Sequence, residues 1–198
     1  MIVVVAALKG GVGKTTTSIY LAAAAATGRR EVRLVDADPQ ASAAEWWEAG
    51  VDEQLAKVGL VEAPTDRLLG RALVGLTDED IAIVDTPPGQ ERLLTKALEQ
   101  ADAVVLPTRI GGVETGRVDA VLEMVPKGVP VGVVVSSART YTRDYQDAIA
   151  EWAEQDVRVW GTVPERVSIA AGPRNALSFD GMLAYKEIWR KVQRSVKP

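Results

Sequence analysis

Six short apolar runs punctuate the chain, at residues 2–7, 32–35, 81–84, 103–106, 129–135 and 157–163, and most are rich in valine or isoleucine. None alternates apolar with polar positions. Near-continuous apolarity over so few residues suits strands covered on both faces, as in a parallel sheet. A weaker run at 55–61 predicts an edge strand. Between the runs, helix-like stretches occupy 15–27, 41–48, 67–74, 91–100, 114–125, 143–155 and 179–196. The first holds an alanine run and stops at Gly28, a C-cap signal. Strands alternating with helices predict an α/β fold, a doubly wound and mostly parallel sheet with helices on both faces and right-handed crossovers. No repeat, low-complexity tract or linker interrupts it, so residues 1–198 are expected to form one domain.

Composition narrows the chemistry more than the fold. At 198 residues and 47% hydrophobic, the chain suffices for one well-buried domain. A net charge of −4 excludes a uniformly basic nucleic-acid binder but not a local basic patch. The absence of cysteine removes disulfides, iron–sulfur clusters, thiolate zinc sites and thiol nucleophiles. The absence of histidine removes the commonest general base, leaving carboxylates, lysines, hydroxyls and metal-held water. With no basic-then-apolar leader and no apolar run near the ~20 residues of a membrane span, a cytoplasmic location is expected.

The stretch LKGGVGKTTT at residues 8–17 follows the first apolar run directly. Its glycines let backbone N–H groups curl around phosphate oxygens, and the helix that follows turns its positive end toward the same anion. Gly10, Gly11, Val12 and Gly13, with Lys14, Thr15 and Thr16, form the expected phosphate cradle. Lys14 can reach the β- and γ-phosphates, and the Thr15 hydroxyl can ligate Mg²⁺. The ordinary loop pattern asks for glycine at position 8, where this chain has Leu8, and a second lysine, Lys9, is left over. A plain glycine turn between strand and helix is the competing reading.

Two acidic strand ends accompany the loop. VRLVDADPQ closes the second run with Asp36 and Asp38, at the edge where ligands collect in doubly wound sheets. Taken alone, it reads equally well as a capped turn opening a helix. IAIVDTPPG ends on Asp85, matching a Walker B strand whose acid holds Mg²⁺. Pro87, Pro88 and Gly89 then make a candidate loop sensing the γ-phosphate.

KGGVGKTT resembles the deviant Walker A motif of the ParA/MinD family of ATPases, within the P-loop NTPase fold. The resemblance implies that Lys9 crosses a dimer interface to the partner's ATP. It implies that Asp38 orients the attacking water and that Asp36 supports the shell of Mg²⁺ and Thr15. Later segments, VVVSSARTYTRDY and GTVPERVSIAAGP, resemble those flanking the adenine, with Pro164 where family backbone meets the base. Arg139, in an A-R-T run, falls where several relatives contact nonspecific DNA, but Ser168 stands where a second basic residue is usual.

The last predicted helix places Tyr185, Ile188, Trp189, Val192 and Val196 on one face and Lys186, Arg190, Arg194 and Lys197 on the other. That spacing suits either a docked helix with a solvated basic face or a DNA-binding stripe of Lys186, Arg190 and Arg194. The tryptophans at 46, 47, 152, 160 and 189 read as core or interface packing rather than base-stacking platforms. Trp46 and Trp47, after the DADPQ loop, are candidates for a dimer or partner surface.

The resemblance is closest to small plasmid-type ParA proteins. It implies an ATP/ADP- and Mg²⁺-dependent hydrolase forming a homodimer with ATP sandwiched between protomers. It further implies nucleoid association through nonspecific DNA and stimulation by a ParB-like centromere-binding partner. With the first strand at Ile2, no N-terminal operator-binding domain is expected, and no stable membrane anchor. A MinD-like membrane ATPase and a cargo-positioning relative are the alternatives. A nitrogenase-type reductase would need cysteines, and a biosynthetic ligase of the superfamily would have no use for Lys9.

Overall fold

The computed structural model describes residues 1–49, 52–77, 79–111, 116–170, 172 and 176–196. Its strands are β1 (Ile2–Val5), β2 (Val32–Asp36), β3 (Val58–Glu62), β4 (Ile81–Asp85), β5 (Ala103–Thr108), β6 (Val131–Ala138) and β7 (Val159–Pro164). The helices are α1 (Lys14–Ala25), α2 (Ser42–Glu48), α3 (Asp66–Leu73), α4 (Glu91–Leu98), α5 (Gly116–Leu122), α6 (Arg143–Glu154), α7 (Val167–Ala170) and α8 (Phe179–Ser195). The sheet runs β3-β2-β4-β1-β5-β6-β7 with every pair parallel. The chain leaves β1 for β2 on one side, and after β4 it returns past β1 to β5 on the other. That reversal puts the end of β1 at the crevice where doubly wound sheets bind ligands.

The apolar runs are strands because both sheet faces are covered. Val3 and Val5 belong to the core under α1, α2 and α8, while Val4 belongs to the core under α3, α4, α5 and α6. Successive strand residues point to opposite faces, so each face needs apolar side chains and no alternation survives. β3 differs, being an edge strand with exposed and half-exposed positions. It lies at 58–62 rather than 55–61 because Asp52 accepts the N–H groups of Gln54 and Leu55 at 2.8 and 3.3 Å, and Leu55–Lys57 closes into a 3₁₀ turn. Of the expected helix at 114–125, Gly116–Leu122 is helical, and 114 and 115 lie outside the described residues.

α1 is buried along nearly its whole length, as an alanine-rich helix apolar on all sides should be. α8 roofs it, stacking Tyr185 on Tyr20 with ring centroids 5.1 Å apart. Trp46, Trp152, Trp160 and Trp189 are buried, and Trp47 packs on the core edge with its indole N–H donating to the Val58 carbonyl at 2.6 Å. Thus Trp46 and Trp47 serve the packing of α2 on the sheet rather than an outer surface. Trp160 lies across Gly132 so closely that a Cβ there would fall 1.9 Å from the ring.

Candidate functional site

Residues 8–13 carry the chain from β1 to α1 at the C-terminal edge of the sheet. Gly11 and Gly13 have φ of 77° and 92°, a region costly for any residue with a side chain. Gly13 is the N-cap of α1 and offers no side-chain cap, so the first-turn N–H groups point outward as an anion seat. Leu8, where the ordinary pattern has glycine, packs on the core beneath α3–α6 and anchors the loop's entry.

Lys14, Thr15 and Asp85 converge under this loop. Thr15 Oγ1 donates to Asp85 Oδ2 at 2.9 Å, and Ser18 Oγ lies 2.9 Å from Asp85 Oδ1. Asp85 is buried, and burial pushes its pKa up to about 7 against the pull of Ser18, Thr15 and Lys14. Lys14 Nζ donates to the Lys9 carbonyl at 2.9 Å. Burial lowers the Lys14 pKa, while the charges of Asp85 and Asp38 oppose that shift. Thr86 fastens the end of β4 to β1, its hydroxyl donating to the Val5 carbonyl at 2.7 Å. Among the described residues no group of three or more acidic side chains is set to hold a metal. Thr15 and Asp85 nevertheless present hard oxygen donors of the kind Mg²⁺ takes.

Asp36, expected to support the Mg²⁺ shell, has both carboxylate oxygens engaged by backbone N–H groups. Its Oδ1 accepts the Asp38 N–H at 3.0 Å, and its Oδ2 accepts those of Ala43 and Ala44 at 3.0 and 2.9 Å. The carboxylate therefore caps α2, whose formal N-cap Ala41 has φ of 52° and no capping side chain. Burial raises the Asp36 pKa in spite of these three donors. Asp36 and Asp85 are register partners on adjacent strands, and Thr15 bonds to Asp85. Asp38 lies beyond the strand, half-buried; its Oδ1 accepts the Gln40 N–H at 2.9 Å.

Beside the loop a cleft of about 390 Å³ is lined by Gly13, Thr16, Ser136, Pro164, Arg166 and Tyr185, among others. Pro164 thus stands on the same cleft as the phosphate loop, at the end of β7. Ser136 is a site residue the sequence reading missed. Its buried Oγ lies 2.6 Å from the Val12 carbonyl and 3.0 Å from that of Thr108, clamping the loop from β6. Only the SS pair closing an apolar strand hinted at it. Lys9 is half-buried and lines a separate shallow pocket with Leu8, Val12 and Pro107.

The candidate DNA residues are dispersed. Arg139 forms a bidentate ion pair with Glu165, which lowers the Glu165 pKa and raises that of Arg139. Lys186, Arg190 and Arg194 are exposed on α8, whose Tyr185, Ile188, Trp189 and Val192 are buried. Ser168 is exposed, and Lys197 lies outside the described residues. No helix of the described residues is long and apolar enough to cross a membrane.

A family model described as the CobQ/CobB/MinD/ParA nucleotide binding domain matches residues 3–179. The chromosome-partitioning ATPase Soj of Thermus thermophilus is 30% identical, the match covering 96% of this chain and 94% of that protein. Maintenance of carboxysome distribution protein A of Gloeobacter kilaueensis is 47% identical over 103 residues, which is 50% of this chain but only 45% of that protein. A solved structure from Borrelia burgdorferi, described as a plasmid partition protein bound to AMPPNP, matches with a TM-score of 0.78 at 22% identity, covering 98% of each chain. That last likeness is one of fold.

Proposed function

This chain belongs to the CobQ/CobB/MinD/ParA nucleotide-binding family, and we propose that within it the chain is a partition-type ATPase whose nucleotide state controls its grip on DNA. The observation that carries the reading is the convergence of Lys14, Thr15 and Asp85 beneath a glycine loop that opens α1. On this reading the loop N–H groups of residues 10–16 hold the triphosphate. Lys14 exchanges the Lys9 carbonyl for β- and γ-phosphate oxygens. Thr15 and Asp85 would hold Mg²⁺, which would supply neutralisation of the charge developing on the phosphates. Asp38 orients the attacking water, and Asp36, through the Asp38 N–H and α2, is a positioning residue for it. Pro164 backbone meets the base, and Ser136 holds the loop to β6.

Lys9 is assigned to the partner's nucleotide in a dimer closed around two ATP molecules. The dimer binds nonspecific DNA through phosphates, and a ParB-like partner stimulates hydrolysis and release. ATP acts here as a switch, since the work lies in the different DNA affinities of two states. Residues 1–198 act as a single domain in this scheme. A second reading, positioning of a protein cargo over the nucleoid, is supported by the 47% identity to the carboxysome-distribution protein.

ATP turnover measured alone, with duplex DNA, with the product of the neighbouring gene, and with both tests the proposal. It expects strong synergy between DNA and protein partner. Turnover that responds only to a small metabolite would overturn it.

A further inference from the structure

The end of the molecule opposite the nucleotide cleft carries a second feature. An open groove of about 1040 Å³ runs between the end of α1 and the exposed side of α8. Arg29 and Arg30, from the turn after α1, and Lys186 and Arg190, from α8, line it together with Trp189 and Ile81. Ile81 is the first residue of β4, and Arg29 and Arg30 lie between α1 and β2, one residue short of the strand, so the groove sits at the N-terminal edge of the sheet. The nucleotide loop sits at the other edge, and α1 joins the two.

Four cations face one groove in a chain of net charge −4. All four are exposed, and none forms an ion pair among the described residues. Glu31 and Glu187 adjoin them in sequence, yet neither lines the groove. Cations at the end of α1 would complement its helix dipole without any ligand, but that does not account for Lys186 and Arg190 on α8. Lys186 and Arg190 stand one helical turn apart, about 6 Å along the axis. That separation falls within two phosphate steps of a DNA strand, which rises about 3.4 Å per phosphate. Arg194, one turn further, does not line the groove.

We propose that this groove seats the phosphodiester backbone of duplex DNA, with Arg29 and Arg30 as phosphate contacts beside Lys186 and Arg190. The choice of DNA rests on the function proposed above. Contacts of this kind position the backbone and read no sequence. α8 is tied to the nucleotide end by the buried 2.9 Å hydrogen bond between Thr17 and Tyr185, the residue before Lys186.

The test is duplex DNA binding by fluorescence anisotropy over a salt series, with a nonhydrolysable ATP analogue, for the wild type, R29A/R30A and R29K/R30K. The alanine variant should lose at least about tenfold in affinity, and its log–log salt slope should fall by about 0.9 per arginine lost in each bound protomer. R29K/R30K keeps the charges and should keep the slope, which separates phosphate contact from a structural role. Wild-type binding with an unchanged slope in R29A/R30A overturns the groove while leaving the partition reading intact. A wild type that ignores DNA overturns both. Arginine-dependent binding to phosphatidylglycerol vesicles in place of DNA would equally reject the assignment.

Discussion

Thr15 Oγ1 stands 2.9 Å from Asp85 Oδ2, so a hydroxyl in the first turn of α1 is tied to a buried carboxylate at the end of β4. Ser18 meets the other Asp85 oxygen, and the Thr15 and Asp85 oxygens of this bond are those proposed for Mg²⁺. Thr15→Ala should reduce Mg²⁺-dependent ATP hydrolysis by about 10–100-fold, the usual cost of disturbing a metal's immediate surroundings. Nucleotide affinity without Mg²⁺ should change far less. Isothermal titration with and without Mg²⁺, beside turnover measurements, checks both halves.

The hydrogen bond between Thr17 and Tyr185 is buried and joins α1 to the roof helix α8. Tyr185→Phe strands the Thr17 hydroxyl and should cost about 1–3 kcal/mol. Removing both groups, with Thr17→Val added, should restore much of that loss, because no buried polar group is then unpaired. Chemical denaturation of the two single variants and the double variant measures the coupling.

Gly132 has no room for a methyl group, since the Trp160 ring occupies its place. Gly132→Ala should destabilise by the upper end of the about 1–3 kcal/mol typical of overpacking. Thermal melts would show it, and a variant of wild-type stability would mean that Trp160 repacks freely.

The ion pair between Arg139 and Glu165 bears on DNA binding. Its carboxylate has a lowered pKa, so the pair is complete above the ordinary glutamate range and is lost only as pH falls below it. Neutral pH therefore keeps Arg139 engaged, and phosphate must compete with Glu165 for it. Glu165→Gln should strengthen DNA binding by the ATP-bound form several-fold if Arg139 is a phosphate contact. Anisotropy with labelled duplex reads this directly, and unchanged affinity would remove Arg139 from the interface.

Much of this fold was legible because burial on both faces writes itself as continuous apolar runs, as at Val3–Val5 and Ile81–Val84. The loop, Lys14, Thr15 and Asp85 were legible because their chemistry requires fixed residue types at fixed spacing. What escaped depends on chain segments far apart in sequence. Ser136 matters only because β6 ends beside Val12, 124 residues away. The capping contacts of Asp36 escaped because they depend on where α2 begins, seven and eight residues further along the chain. The start of β3 turned on Asp52 closing a 3₁₀ turn at a half-exposed edge, where the apolar signal is weakest. Arg29 and Arg30 gave no motif at all, since their meaning comes from α8 lying across α1.

The central claim is that the two lysines of the loop have separate tasks, Lys14 for its own nucleotide and Lys9 for that of a second protomer. Sedimentation velocity in saturating ATP, on an Asp38→Ala background chosen to prevent turnover by the proposed water-orienting residue, compares Lys9 with Lys9→Ala most directly. The account predicts a dimer with Lys9 present, and a monomer that still binds ATP once it is replaced by alanine. Equal dimerisation of the two proteins would contradict it.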